Sequence, residues 1–321
     1  MKRTFTVVIA VLILVFAVSL CVGKYRISLK EVFNAGSLAS SVFFRLRLPR
    51  TIMAVLAGAG LGLAGAVYQT VFKNPLASPD IIGISSGANL GAAVSIVLAS
   101  TSVLSLGLGA FAGGIAAVLF VLLLVKASKA NTTSTYVLSG IIISAVAKAM
   151  IMMLKYYADS DSQLATIEYW TMGSLASITM SKLLGIFIFW FIGFAGTMML
   201  NRQVQLLALN EDECRALGVN ITKIRALVLG FSTLLVSSVI SVTGLISFSG
   251  LIAPHIANFM IKKRNRSYLV MSSLVGSVVL LVSDIFARSL GQAEIPISIL
   301  TTIIGVPVLV YFMLKRKGGR V

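Results

Sequence analysis

Gly83-Ile84-Ser85-Ser86-Gly87 matches the G-x-S-x-G pattern, in which a serine on a sharp turn attacks an acyl carbon. Its base would have to be His255, the chain's single histidine, in Ala253-Pro254-His255. That elbow needs a strand before the serine, and membrane helices offer none. A serine hydrolase is therefore disfavoured, and no labelling by a fluorophosphonate probe is expected. His255 also invites a haem or iron-ligand reading. One histidine, the distant Cys21 and Cys214, and no carboxylate cluster make a poor metal site, so a packed, hydrogen-bonded histidine is the expectation. No G-x-x-x-x-G-K-[ST] occurs, since Gly23-Lys24 lacks the earlier glycine and the following Ser or Thr. The chain is not expected to hydrolyse ATP itself.

Charges in unusual places are more informative. Lys148 lies inside an apolar run, two turns before Lys155. A charge there is costly and faces either a cavity or partner, or the outer interface by snorkelling. If it faces a pathway, it suits an anionic cargo. Lys24, Arg26, Lys30, Arg45, Arg47 and Arg50 crowd into residues 24–50, and Asp284 and Glu294 flank Arg288. Of the ten acidic residues, Glu211, Asp212 and Glu213 stand side by side in NRQVQLLALNEDECRALGVNITKIR, residues 201–225.

The elements that must position these groups are membrane helices. The 321 residues are 58% hydrophobic and 12% charged, about half the charge of a soluble domain. Spans of roughly 20 apolar residues fall near 5–22, 51–70, 81–100, 107–125, 136–154, 182–200, 225–246, 268–286 and 296–314. A tenth run, 248–261, is short and reads as a half-helix. The fold class is therefore all-α and polytopic, with about ten helices in a single domain, 1–321. Continuously apolar runs exclude a β-barrel. The first run reads as an uncleaved helix. The net charge of +17 reflects basic residues gathered in cytoplasmic loops, with both termini inside, and not nucleic-acid binding. The basic stretch 24–50 reads as one outside loop under this topology and breaks that trend.

KNPLASPD (73–80) reads as a tight cytoplasmic turn. Residues 156–180 read as an outer surface segment with a short helix. Gly58-x-x-x-Gly62 and Gly109-x-x-x-Gly113 are small-residue stripes for close helix packing. In the polar island, Asn210 is an N-cap with Glu213 at N3, a capping box. Glu211 and Asp212 suit the positive end of the helix dipole, and Gly218 suits a left-handed stop. Residues 211–217 thus read as a helix of two turns, with Glu211 and Arg215 as i,i+4 partners and Asn220 capping the next helix. So short a helix needs packing partners, and its polar face points to a soluble one.

The string LALNEDECRALGVNITKIR (207–225) resembles the cytoplasmic coupling region of FecCD-type permeases. Those are the membrane subunits of ABC importers for iron–siderophore, haem and vitamin B12. Residues 44–91, GLISFSGLIAPHIAN (244–258) and the tail SDIFARSL…EIPISILTTIIGVPVLVYFML (283–314) resemble the same family in the same order. The resemblance covers nearly the whole chain. It implies a permease dimer in a prokaryotic cytoplasmic membrane, its second half an identical or related chain. Two ATPase subunits, which use the ATP and Mg²⁺, would dock below, and an extracytoplasmic binding protein above. The coupling region, 205–224, would engage the ATPase through Leu217 and Gly218, with Glu211, Glu213, Arg215 and Ala216 around them. In vitamin B12 permeases, arginines at the positions of Arg47, Arg50 and Arg288 receive carboxylates of the binding protein; Arg45 has no such counterpart. The pathway candidates are Lys148, Ser85 and Ser86. No metal or cofactor is expected on this chain. The rival is an ion-coupled secondary transporter, which needs intramembrane acids; here only Asp284 qualifies. The cargo stays open among iron–siderophore, haem and corrinoid.

Overall fold

The computed structural model describes residues 2–25, 29–34, 36–99, 103–130, 132–160, 162–209, 211–216, 218, 220–261, 265–291 and 293–317. Their regular structure is entirely helical. Among the described residues, seven helices are long and apolar enough to cross a membrane: α1 (Lys2–Cys21), α2 (Leu38–Val71), α4 (Leu104–Ala127), α5 (Thr133–Tyr157), α7 (Met180–Met199), α10 (Ile221–Thr243) and α12 (Arg266–Ser289). Shorter apolar helices among the described residues are α3 (Ile84–Leu98), α11 (Ser249–Ile261) and the apolar part, Ile297–Phe312, of α13 (Ile297–Lys317). Polar connections add α6 (Gln163–Met172), α8 (Asn201–Leu206) and α9 (Glu211–Ala216). The expected half-helix at 248–261 and surface helix within 156–180 are thus α11 and α6.

One expectation is corrected. The basic stretch before residue 51 is not all loop, because α2 begins at Leu38 and carries FRLRLPR on its first turns. Pro49 would place its ring against the Arg45 carbonyl in a regular α-helix. The turn Val42–Arg47 is instead wound as a π-helix, which absorbs the clash and keeps the helix continuous.

α2 is the centre of the bundle: 78% of its apolar window is buried, against 22% for α5 and 11% for α1. It packs along α12 and also touches α10 and α11, while α3 and α4 form a second close pair. Small residues make both contacts possible. A methyl group at Gly58 or Gly62 would overlap the Gly276 or Ser272 carbonyl of α12, and one at Gly109 or Gly113 the Gly91 or Gly87 carbonyl of α3. Both stripes are therefore packing surfaces, as their spacing predicts.

α3 and α11 are short because neither starts at the surface. Before α3, Lys73 adopts a positive φ of 49° and Leu76 donates its N–H to Asn74, so KNPLASPD turns tightly. The chain then re-enters through the 3-10 turn Pro79–Ile82, which packs against Gly140 of α5. Gly250, at the start of α11, meets Pro79 and Leu61 of α2. Both helices thus begin beside residues about two turns or more inside longer neighbours.

Candidate functional sites at the two ends and the middle

At the end of the bundle where α1 finishes and α2 starts, three arginines converge. Arg50 donates Nε to Asp284 Oδ1 at 2.8 Å and Nη1 to both Glu294 oxygens at 2.8 and 2.9 Å. Arg288 lies 3.5 Å from Asp284 Oδ2 and donates Nη2 to the Ser19 carbonyl and hydroxyl at 2.6 Å each. Arg47 donates to the Leu20 and Cys21 carbonyls at 3.0 and 2.6 Å, and to that of Tyr25. The last carbonyls of α1 lack helical partners, and a cation beside them also meets the negative end of the helix dipole.

Arg47, Arg50 and Arg288 are only 5, 8 and 5% exposed, and Asp284 is fully buried. All three arginines thus make their polar contacts within the chain. Glu294 pairs with Arg50 rather than with Arg288, the nearer arginine in sequence. The three guanidinium groups outnumber the two carboxylates, so the cluster stays cationic. Arg45 is exposed beside it.

In the middle, Lys148 sits on the exposed face of α5 with Val146, Met150 and Met152. Its ammonium acts electrostatically on Asp80, next to which Ser78 and Ser85 lie. Ser85, Asp80, Ser78, Ser247 and Leu251 line a cavity of about 190 Å³ between α2, α10 and the starts of α3 and α11. Ser86 is half-buried and does not line it. A 3-10 turn precedes Ser85 where a nucleophile elbow needs a strand. His255 Nδ1 hydrogen-bonds the Leu251 carbonyl at 2.8 Å and lies 3.4 Å from Gln69 Nε2. It is a packed, satisfied histidine.

At the opposite end, α9 spans Glu211–Ala216 and Gly218 takes a φ of 69°, the left-handed stop read from the sequence. Glu213, Ala216 and Gly218 are exposed, while Cys214 is buried and donates its thiol to the Leu206 carbonyl at 3.1 Å. Asn210 and Leu217, and the side chains of Glu211 and Arg215, lie outside what the structure describes. Asn220 caps α10 by accepting from the Lys223 N–H at 3.1 Å. Lys73, in the turn after α2, donates to the Leu209 carbonyl at 2.5 Å and ties this segment to the bundle.

Sequence reasoning missed Arg225. It is 2% exposed, one turn into α10, with its guanidinium 5.1 Å from the centre of the Tyr136 ring on α5. A charged residue where an apolar span begins was the available signal.

Among known proteins, the FecCD transport family matches residues 11–315. The molybdate import system permease of Haemophilus influenzae is 35% identical over 96% of this chain and 94% of its own length. The Fe(3+)-citrate import system permease of Bacillus subtilis is 37% identical over 95% and 93%. The hemin transport system permease of Yersinia pestis is 32% identical over 93% and 91%. A solved structure of an inward-facing metal-chelate type ABC transporter holds a chain that matches with a TM-score of 0.88 at 33% identity, covering 98% of this chain and 99% of that one.

Proposed function

Because the chain belongs to the FecCD transport family and is thus a membrane-spanning ABC importer permease, not an enzyme, we propose that it carries a ferric siderophore, drawing power from a separate ATPase. The family's importers work with an ATPase, a binding protein and a second permease. Two ATPase copies, and an identical or related second permease, are the arrangement proposed here. The membrane is the cytoplasmic one of a prokaryote, with both termini inside.

Three features support the parts. Helix α9, with Glu213 and Ala216 exposed and its stop at Gly218, offers a handle to the ATPase, for which Leu217 and Gly218, with Glu211, Glu213, Arg215 and Ala216, are the proposed contacts. The cationic cluster of Arg47, Arg50 and Arg288, with Arg45 beside it, attracts carboxylates of a docking binding protein. Arginine suits that contact by its forked donors. Lys148 carries the cargo reading. A lysine on an exposed mid-helix face is costly against lipid, which supports a face turned to a pathway. Ferric chelates are often anionic, and Lys148 with Ser85 and Ser86 would hold them weakly while the two sides open in turn.

Relatives named for molybdate and for hemin keep other cargoes in view. The test is uptake of radio-iron as a panel of siderophores, beside labelled haem, molybdate and a corrinoid, in cells lacking the chain and in cells with it restored. Loss and rescue for one iron chelate is the expected result. Loss for molybdate, haem or the corrinoid alone overturns the cargo while keeping the importer. Uptake that survives ATP depletion but not collapse of the membrane potential would instead indicate an ion-coupled carrier.

A further inference from the structure

The three arginines at the α1–α2 end hold partners of two kinds. Arg288 donates to the Ser19 carbonyl and hydroxyl, and Arg47 to the carbonyls of Leu20, Cys21 and Tyr25. The chain after α1 wraps round the Arg47 guanidinium, with Gly23 close against it. Apart from the Ser19 hydroxyl, these acceptors are main chain at or just past the end of a helix, where carbonyls lack helical partners. They cannot withdraw unless the end of α1 unwinds. Arg50 instead holds two carboxylates, and the two differ. Asp284 projects from α12, and its side chain is 0% exposed. Glu294 stands in the non-helical stretch before α13, and its side chain is 31% exposed. The backbone there is pinned, since Ile295 donates its N–H to the Ala287 carbonyl at 3.0 Å and Ile297 to the Gly173 carbonyl at 3.1 Å. Glu294 can therefore leave Arg50 by side-chain rotation alone.

We infer that Arg50 is the arginine that receives a carboxylate of the docking binding protein, and that Glu294 holds that place until the partner arrives. The inference rests on the reading of this cluster as the docking site. Arg50 Nη1 meets both Glu294 oxygens, at 2.8 and 2.9 Å, so an arriving carboxylate takes over a donor already set for one. Asp284 keeps Nε throughout, at 2.8 Å, and fixes the guanidinium's orientation. The exchange replaces one carboxylate by another. Arg50 is thus never left as a lone buried charge, and the released Glu294 turns to water from a partly exposed position. With Glu294 in place Arg50 is only 8% exposed, so the site is covered while no partner is bound. Such a cover weakens docking by the fraction of time that it occupies the site. Arg47 and Arg288, committed to the end of α1, form the frame around the exchange. Glu294 acts through Arg50 and is a positioning residue.

The experiment uses the complete importer in lipid nanodiscs and, as probe, the binding protein required for uptake in the panel above. It measures docking affinity, and labelling of Arg50 by phenylglyoxal, which modifies accessible guanidinium groups. Glu294→Gln is expected to tighten docking about fivefold, the upper range for a partly exposed ion pair. It should also raise Arg50 labelling, and the docked partner should protect Arg50 again. Arg50→Gln is expected to weaken docking roughly thirtyfold or more, and the double variant to behave like Arg50→Gln. Unchanged or weaker docking in Glu294→Gln, or in Glu294→Ala should the first not fold, overturns the exchange. So does a gain that survives in the double variant. Failure of both Glu294 variants to fold overturns it too, because a place-holder is not needed to hold the bundle together. Loss of docking in folded Arg47→Gln or Arg288→Gln, with Arg50→Gln unaffected, shows that Arg50 is not the receiving residue. If none of the three arginine variants alters docking, the docking reading itself fails instead.

Discussion

The two ends of the bundle hold their charges in opposite ways. At the α1–α2 end, Arg50, Asp284 and Arg288 are buried, and each meets an opposite charge or a carbonyl within the chain. At the other end, Glu213 is exposed on a six-residue helix, and the segment is tied down by the Lys73 bond and the Cys214 thiol. Buried ion pairs gain little net stability but make any broken pair expensive, so they fix geometry. Short exposed helices cost little to move. The first end is therefore the stiffer of the two, and the second the easier to displace.

The sharpest test of this contrast is Asp284→Ala, which strips Arg50 and Arg288 of their shared carboxylate. A loss of roughly 3–5 kcal/mol is expected for removing one partner of a buried pair, read as failure to recover folded protein from membranes. Full recovery would show that the cluster is not the rigid element. Leu217→Asp should come next in effect, abolishing uptake through lost coupling while binding-protein docking, measured on the detergent-solubilised complex, persists. If docking is lost with it, the two ends do not divide the labour as described. Lys148→Met should raise the concentration of anionic chelate needed for half-maximal uptake several-fold and leave expression unchanged; an unaltered uptake curve removes Lys148 from the pathway. The smallest effect belongs to Asn220→Ala. Loss of the cap should cost about 1 kcal/mol at the start of α10, visible as faster amide exchange there with folding intact. A global loss of fold would mean that this end is not the loosely held one.

Much of the architecture follows from short-range rules acting on the sequence. A bilayer demands apolar runs of fixed length with their backbones satisfied internally, so the run positions mark the helices. Gly218 and Asn220 likewise announce the end of α9 and the start of α10, because caps are decided within a few residues. The close contacts at Gly58, Gly62, Gly109 and Gly113 were legible as well, although not which helix each would meet. Other local signals were present but easily passed over. Ser37 caps the helix start at Leu38 by accepting from the Ser40 N–H at 3.0 Å and Pro49 calls for the π-wound turn, yet an apolar window starting at 51 begins after both.

What the sequence by itself determined is a bundle of about ten membrane helices with a polar, capped helix in one connection, and a family resemblance that the comparisons establish. What only the tertiary structure decided is which charges meet. Arg50 and Asp284 are 234 residues apart, and Arg225 finds Tyr136 on a helix that is not its neighbour in sequence. The physical reason is the cost of a lone charge in an apolar interior. That cost forces every buried arginine to find a carboxylate, a carbonyl or a ring, and only the packing of helices determines which one lies within reach.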